Sequence, residues 1–158
     1  MQKQILRLAF FISAIASNDI NSHAEDWTQY RGPNFNGSSS EKLTINAWPK
    51  TEIKPTWKTE TRLGFSSFAV ADSRVFTIVM EKIDEVEREV CLALNHNTGE
   101  KLWSRTLNIA KYDGGGNSGA KNNKGGDGPR TTPSSDRKLV FILDGRLTLH
   151  CLNAKNGN

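Results

Sequence analysis

The chain has 158 residues, 36% of them apolar, and a formal net charge of +4. That is enough apolar sequence to bury a sizeable core. The charge excess is too small to mark a nucleic-acid binder, and the basic residues form no aromatic-basic strip: Lys50, Lys54, Lys58 and Arg62 are interleaved with Glu52 and Glu60.

Residues 1–24 read as a secretory signal peptide. Lys3 and Arg7 give a basic start, Leu8 to Ala16 an apolar run, and Ser22-His23-Ala24 a small-residue cleavage site before Glu25-Asp26. A membrane anchor needs about 20 apolar residues to cross the hydrocarbon, more than twice this run, so no membrane span is expected and the protein is read as exported, periplasmic or extracellular. The mature chain keeps a formal charge of +3.

Residues 25–56 are irregular, with Arg31-Gly32-Pro33-Asn34, Asn36-Gly37 and Trp48-Pro49 marking turns, and read as a strap packing on a larger body. From Phe65 onward, short β-rich runs follow: Phe68 to Ala71, Val75 to Met80, Val90 to Leu94, and Leu102 to Leu107. They predict one four-stranded antiparallel sheet. The acidic stretch Glu81 to Glu89 reads as a solvated hairpin loop, since it lacks the alternating oxygen ligands and turn glycine of a calcium site.

A glycine-rich loop occupies Asp113 to Asp127. Gly114, Gly116 and Gly119 match the spacing of a dinucleotide fingerprint, but no helical pattern follows, so that reading is rejected and the segment is expected to line one face. A second set of strands comes next: Thr131 to Ser134, Leu139 to Leu143 and Leu147 to Leu152, with Asp144-Gly145 predicting a type I′ hairpin turn. Its fourth strand is expected beyond Asn158, which makes the chain a fragment of a longer array. Cys91 and Cys151 lie in strands of different sets and are expected as buried free thiols.

The two sets repeat one another. Leu94-Asn95 and Gly99 recur 58 residues later as Leu152-Asn153 and Gly157, while Gly64, Ser66, Ser67, Asp72 and Phe76 run parallel to Gly128, Arg130, Thr131, Asp136 and Phe141 at offsets of 64 to 65. Trp57 and Trp103 each precede one such set. Units of about four short strands with a turn and an aromatic anchor fit propeller blades better than a helical solenoid.

Ala93, Asn95, Thr98, Gly99 and Trp103 resemble the Ala-x-Asp-x-x-Thr-Gly-x-x-x-Trp signature of the pyrroloquinoline-quinone-type β-propeller repeat, with Asn95 in place of the aspartate. The second copy is weaker: Cys151, Asn153 and Asn156 replace three positions and Gly157 remains. The opening Trp27 to Gly37 is similar to the start of exported bacterial members of this superfamily. The resemblance implies an all-β fold, a partial β-propeller with about two four-stranded antiparallel blades (residues 57–158) of a seven- or eight-bladed ring. Quinone-dependent dehydrogenases of the superfamily bind the cofactor on the propeller axis with calcium or a lanthanide, a catalytic aspartate and a vicinal Cys-Cys disulfide. Cys91 and Cys151 are not adjacent. The chain therefore looks closer to the non-enzymatic branch, which resembles an outer-membrane assembly scaffold.

From the residues themselves, no Gly-x-Ser-x-Gly elbow, zinc spacing or placed nucleophile is legible, and His23, His96 and His150 stand apart from one another. The expectation is a non-catalytic binding or scaffold module without cofactor, whose partners are a protein or extracellular ligand and further blades. Arg130, at the loop exit, is a weak candidate for a ligand contact. The alternative is the amino-terminal piece of a quinoprotein oxidoreductase, with pyrroloquinoline quinone and calcium bound by residues beyond Asn158.

Overall fold

The computed structural model describes residues 24–42, 50–110 and 128–158. The signal segment through residue 23, the Trp48-Pro49 turn and the Asp113 to Asp127 loop with its glycine spacing lie outside the described residues. Among the described residues there is no helix, and hence none long and apolar enough to cross a membrane.

The chain is all-β. β1 (Ala69–Ala71), β2 (Arg74–Ile83), β3 (Val86–Asn95) and β4 (Lys101–Ile109) form one antiparallel sheet in sequence order; β5 (Ser134–Ser135), β6 (Leu139–Leu143) and β7 (Leu149–Asn153) form a second. Consecutive meanders packed face to face make a partial β-propeller-like arrangement of two blades, one of four strands and one of three. Their shared core holds Ala69, Ala71, Phe76, Ile78, Cys91, Ala93 and Leu107 from the first sheet, and Val140, Ile142, Leu152 and Ala154 from the second end of the chain. Each fully buried Phe, Ile or Val contributes about 2 kcal/mol. On its other face the first sheet carries a second cluster of Val75, Val79, Val90, Leu92 and Leu94. Burial on both faces explains why Val75 to Met80 reads as an unbroken apolar run.

The turns differ from expectation in instructive ways. Glu81 to Glu89 is a ladder rather than a solvated loop: Glu81 pairs with Arg88 and Lys82 with Glu87, opposite charges across the strands, until Ile83 meets Val86. The hairpin closes on Asp84 and Glu85 alone, with φ of 48° and 63°, the type I′ geometry. Asp144-Gly145, where that turn was expected, is instead part of a five-residue connection, because Leu143 pairs with Leu149. Leu147 takes the positive φ of 61° and Gly145 does not. The Asp144 carboxylate organises this loop, accepting from the Arg146 and Thr148 amides at 2.8 and 2.9 Å. The strand expected over Thr131 to Ser134 shrinks to two residues, since Pro129 and Pro133 lack amide donors and the Pro129 carbonyl is taken by Phe65 N at 2.7 Å.

Glu85→Gly should raise stability by about 0.5 kcal/mol in urea denaturation, relieving the left-handed strain of a side chain while losing only an exposed ion pair to Lys82. A loss of stability would contradict the turn assignment.

The strap begins work at once. Val70 N donates to Trp27 O at 2.7 Å and Ser135 N to Thr28 O at 2.9 Å, so two successive strap residues join the first strands of both sheets. Asp26 spans the matching corners: it accepts the Asp72 amide at 3.3 Å and pairs with the Arg137 guanidinium at 2.7 Å.

Candidate functional site

The repeat residues meet at the seam between blades. In the first turn, the Asn95 side chain accepts from the Asn97 and Thr98 amides at 2.8 and 3.2 Å, and its carbonyl accepts from Gly99 N at 2.8 Å. In the second, Asn153 accepts from Lys155 N at 2.9 Å and from Gly157 N at 2.8 Å. Asn needs no charge for this work, which accounts for its standing where the signature has Asp. Even the weakest position is conserved in role: Thr98 Oγ1 accepts the Glu100 amide at 3.3 Å, and Asn156 Oδ1 accepts the Asn158 amide at 3.1 Å.

Each turn lies under a tryptophan of the preceding unit. Trp57 Nε1 donates to His96 O at 2.8 Å with its ring against Gly99; Trp103 Nε1 donates to Ala154 O at 3.1 Å with its ring against Gly157. A Cβ on Gly157 would stand 2.7 Å from the Trp103 ring, and φ at Gly99 and Gly157 is +72° and +74°. Glycine is therefore required twice over, by the left-handed backbone and by the indole lying on it. Trp103 also packs on Phe76, ring centroids 5.9 Å apart. Ala93, buried in the shared core, pairs with Trp103 across β3 and β4.

At the opposite end of the sheets is a polar cluster that the sequence reading passed over. Glu89 of β3 is 2% exposed and accepts the Gly145 amide at 3.1 Å; Asp144 is 1% exposed and bonds His150 Nε2 at 2.7 Å. His150, set apart from the other histidines, thus has a buried carboxylate as its partner. Burial raises the Asp144 pKa, but bonds from His150, the Thr148 and Arg146 amides and the Asn108 side chain outweigh it, holding the carboxyl below its usual value. The residues come from β3, β4, the 144–148 loop and β7, so the cluster ties the two sheets together. Sequence spacing conceals it: Glu89 sits among surface acids and Asp144 in a turn signal. The six-residue separation of Asp144 and His150 around one hairpin was the available clue.

The same end carries an open cleft of about 600 Å³ lined by Tyr30, Phe65, Arg130, Thr131, Thr132 and Leu143. Tyr30 and Phe65 are more than half exposed, and the Arg130 guanidinium stacks over the Phe65 ring at 4.8 Å. Strap, first-blade entry and second-blade entry all contribute, an arrangement suited to gripping an apolar or aromatic group.

Of the two free cysteines, Cys91 is buried and its thiol is pushed up to about 12 by burial, which keeps it protonated and unreactive. Cys151 is exposed, against expectation, because it faces away from the shared core. Among the described residues, no three His, Cys, Asp or Glu side chains converge in a metal-binding group. No family model matches the chain, and no curated protein matches it either.

Proposed function

We propose that the chain is an exported β-propeller repeat protein of the pyrroloquinoline-quinone type that works as a non-catalytic binding or scaffold module. The observation that carries this reading is the twice-repeated latch of tryptophan on turn glycine, which spends the signature residues on joining blades. Every motif residue has a packing or capping role, so the signature says nothing for catalysis here. The cleft around Phe65 and Arg130 is the binding surface under this reading, and an extended protein segment carrying an aromatic or apolar side chain is its ligand. Export rests on the leader sequence; Asp26 to Thr28, just after the expected cut, already hold both sheets.

A displayed library of extended peptides should enrich on the purified chain, and Phe65→Ala should weaken the selected binders at least tenfold. Calorimetric titration with pyrroloquinoline quinone and calcium should give no heat of binding. Quinone binding that Phe65→Ala leaves untouched, without peptide enrichment, would replace this reading with the oxidoreductase one.

A further inference from the structure

The cleft around Phe65 opens where a hairpin stops pairing. Asp136 N bonds Leu139 O at 3.2 Å, and two residues on Ser134 pairs with Phe141. Bonds alternate along an antiparallel ladder, so Thr132 and Leu143 are the next two residues due to exchange them. The other side of β6 agrees: Asp144 N bonds Thr148 O at 3.0 Å, so the Leu143 amide and carbonyl point away from β7 and toward Thr132. Yet the β5 to β6 pairing ends at Ser134, and among the described residues the main-chain groups of Thr132 and Leu143 make no hydrogen bond.

The first blade holds this rung open. Met80 N bonds Leu63 O at 2.7 Å and Phe65 N bonds Pro129 O at 2.7 Å, which fastens residues 128–129 through 63–65 to β2. Gly128 lies so close on Gly64 that a Cβ there would stand 2.8 Å from the Gly64 Cα, and its φ of +103° suits glycine alone. Ser134 and Ser135, five residues further on, belong to the second sheet. The chain between is drawn off β6 toward the first blade, and the gap it leaves is the cleft of about 600 Å³, with Thr131, Thr132 and Leu143 beside Tyr30 and Phe65. Both rims are fixed, so the gap does not close by itself.

Main-chain groups away from open solvent are nearly always paired, and Thr132 is half-buried. Two donors and two acceptors left open together in a cleft call for a partner that offers acceptors and donors along a line, as an extended main chain does. We infer that an extended peptide segment adds to this ladder, its backbone bonding Thr132 and Leu143 while an aromatic or apolar side chain sits between Tyr30 and Phe65. The lining includes the Arg130 guanidinium and no carboxylate, which complements an acidic flank on the segment. The inference rests on the cleft being the site of an extended segment, and it adds the mode of capture: main-chain pairing at a gap fixed by the first blade, with the side-chain pocket as the second element.

Two measurements on the full chain test this. In amide exchange followed by nuclear magnetic resonance, the Thr132 and Leu143 amides of the free protein should exchange about tenfold or more faster than those of Ser134 and Phe141, and should slow by a similar factor when a capped pentapeptide, phenylalanine between two valines with an aspartate at each end, is added to saturation. In calorimetric titration, N-methylating the three central residues of that peptide keeps every side chain and removes main-chain donors, and should weaken binding about tenfold or more. Slow exchange of Thr132 and Leu143 in the free chain overturns the inference without any ligand. Binding that Phe65→Ala abolishes but N-methylation leaves unchanged also overturns it, while leaving the cleft a binding site. A pentapeptide that does not bind at all overturns both the pairing and the assignment of the cleft to an extended segment.

Discussion

Trp103→Ala is expected to cost about 3 kcal/mol, the lower end for loss of a tryptophan because the ring is half-buried. The change removes packing on Phe76 and on the Gly157 turn together with the bond to Ala154 O, leaving that carbonyl without its indole donor. Trp103→Phe, which retains most of the ring, should cost about 1 kcal/mol. Gly157→Ala should also destabilise, by about 2 kcal/mol, from left-handed strain plus the collision of the new methyl with the indole. Only the second part vanishes when the indole is absent, so the double variant should be less damaged than the sum, with a coupling of about 1 kcal/mol. Urea denaturation of the parent and the four variants measures all of this. Additive losses would mean that the indole and the turn do not form one unit.

Asp144→Asn should destabilise the fold by about 2 to 3 kcal/mol at neutral pH, the range for charge-assisted bonds whose buried donors lose their acceptor. The carboxylate receives the Arg146 and Thr148 amides and His150, whereas an asparagine offers one oxygen and adds two donors. The pH dependence gives an independent signature. The folded pKa of Asp144 lies below its unfolded value of about 4, so its contribution is complete above that pH and is lost as pH falls through the lowered folded value. Denaturation curves collected between neutral pH and strong acid should show a shallower acid limb for Asp144→Asn than for the parent. Part of the slope will persist through Asp136, whose carboxyl is also held low by the Leu139 and Lys138 amides. Parallel acid limbs would show that Asp144 is not the titrating group.

The strand order, the blade turns and the two anchoring tryptophans were legible because each has a local cause: alternating apolar residues, a side chain capping its own backbone, a glycine with positive φ. What escaped depends on the pairing of distant segments. The ladder through Glu81 to Glu89 is stabilised by charges across the strands, which no reading along one strand registers. Asp144-Gly145 carries the composition of a tight turn, yet the His150 bond and the buried seam recruit its carboxylate and lengthen the loop. The tight turns fell to Asp72-Ser73 and Asp84-Glu85, whose φ values are all positive without any glycine. The exposure of Cys151 follows from which face of its sheet meets the other, a fact of tertiary arrangement. The candidate cleft was touched only through Arg130, because Tyr30 and Phe65 reach it from segments with no periodic pattern.

The latches have a consequence for how the chain acquires its structure. Trp57 and Trp103 reach partners 39 and 51 residues ahead, so each blade can lock soon after its own turn has been synthesised. The bond from Arg137 to Asp26 closes a loop of 111 residues. Its closure entropy grows only logarithmically with that length, but it requires both sheets to be in place beforehand. Folding should therefore advance blade by blade from the amino terminus, and the strap should be the last element to gain protection from hydrogen exchange.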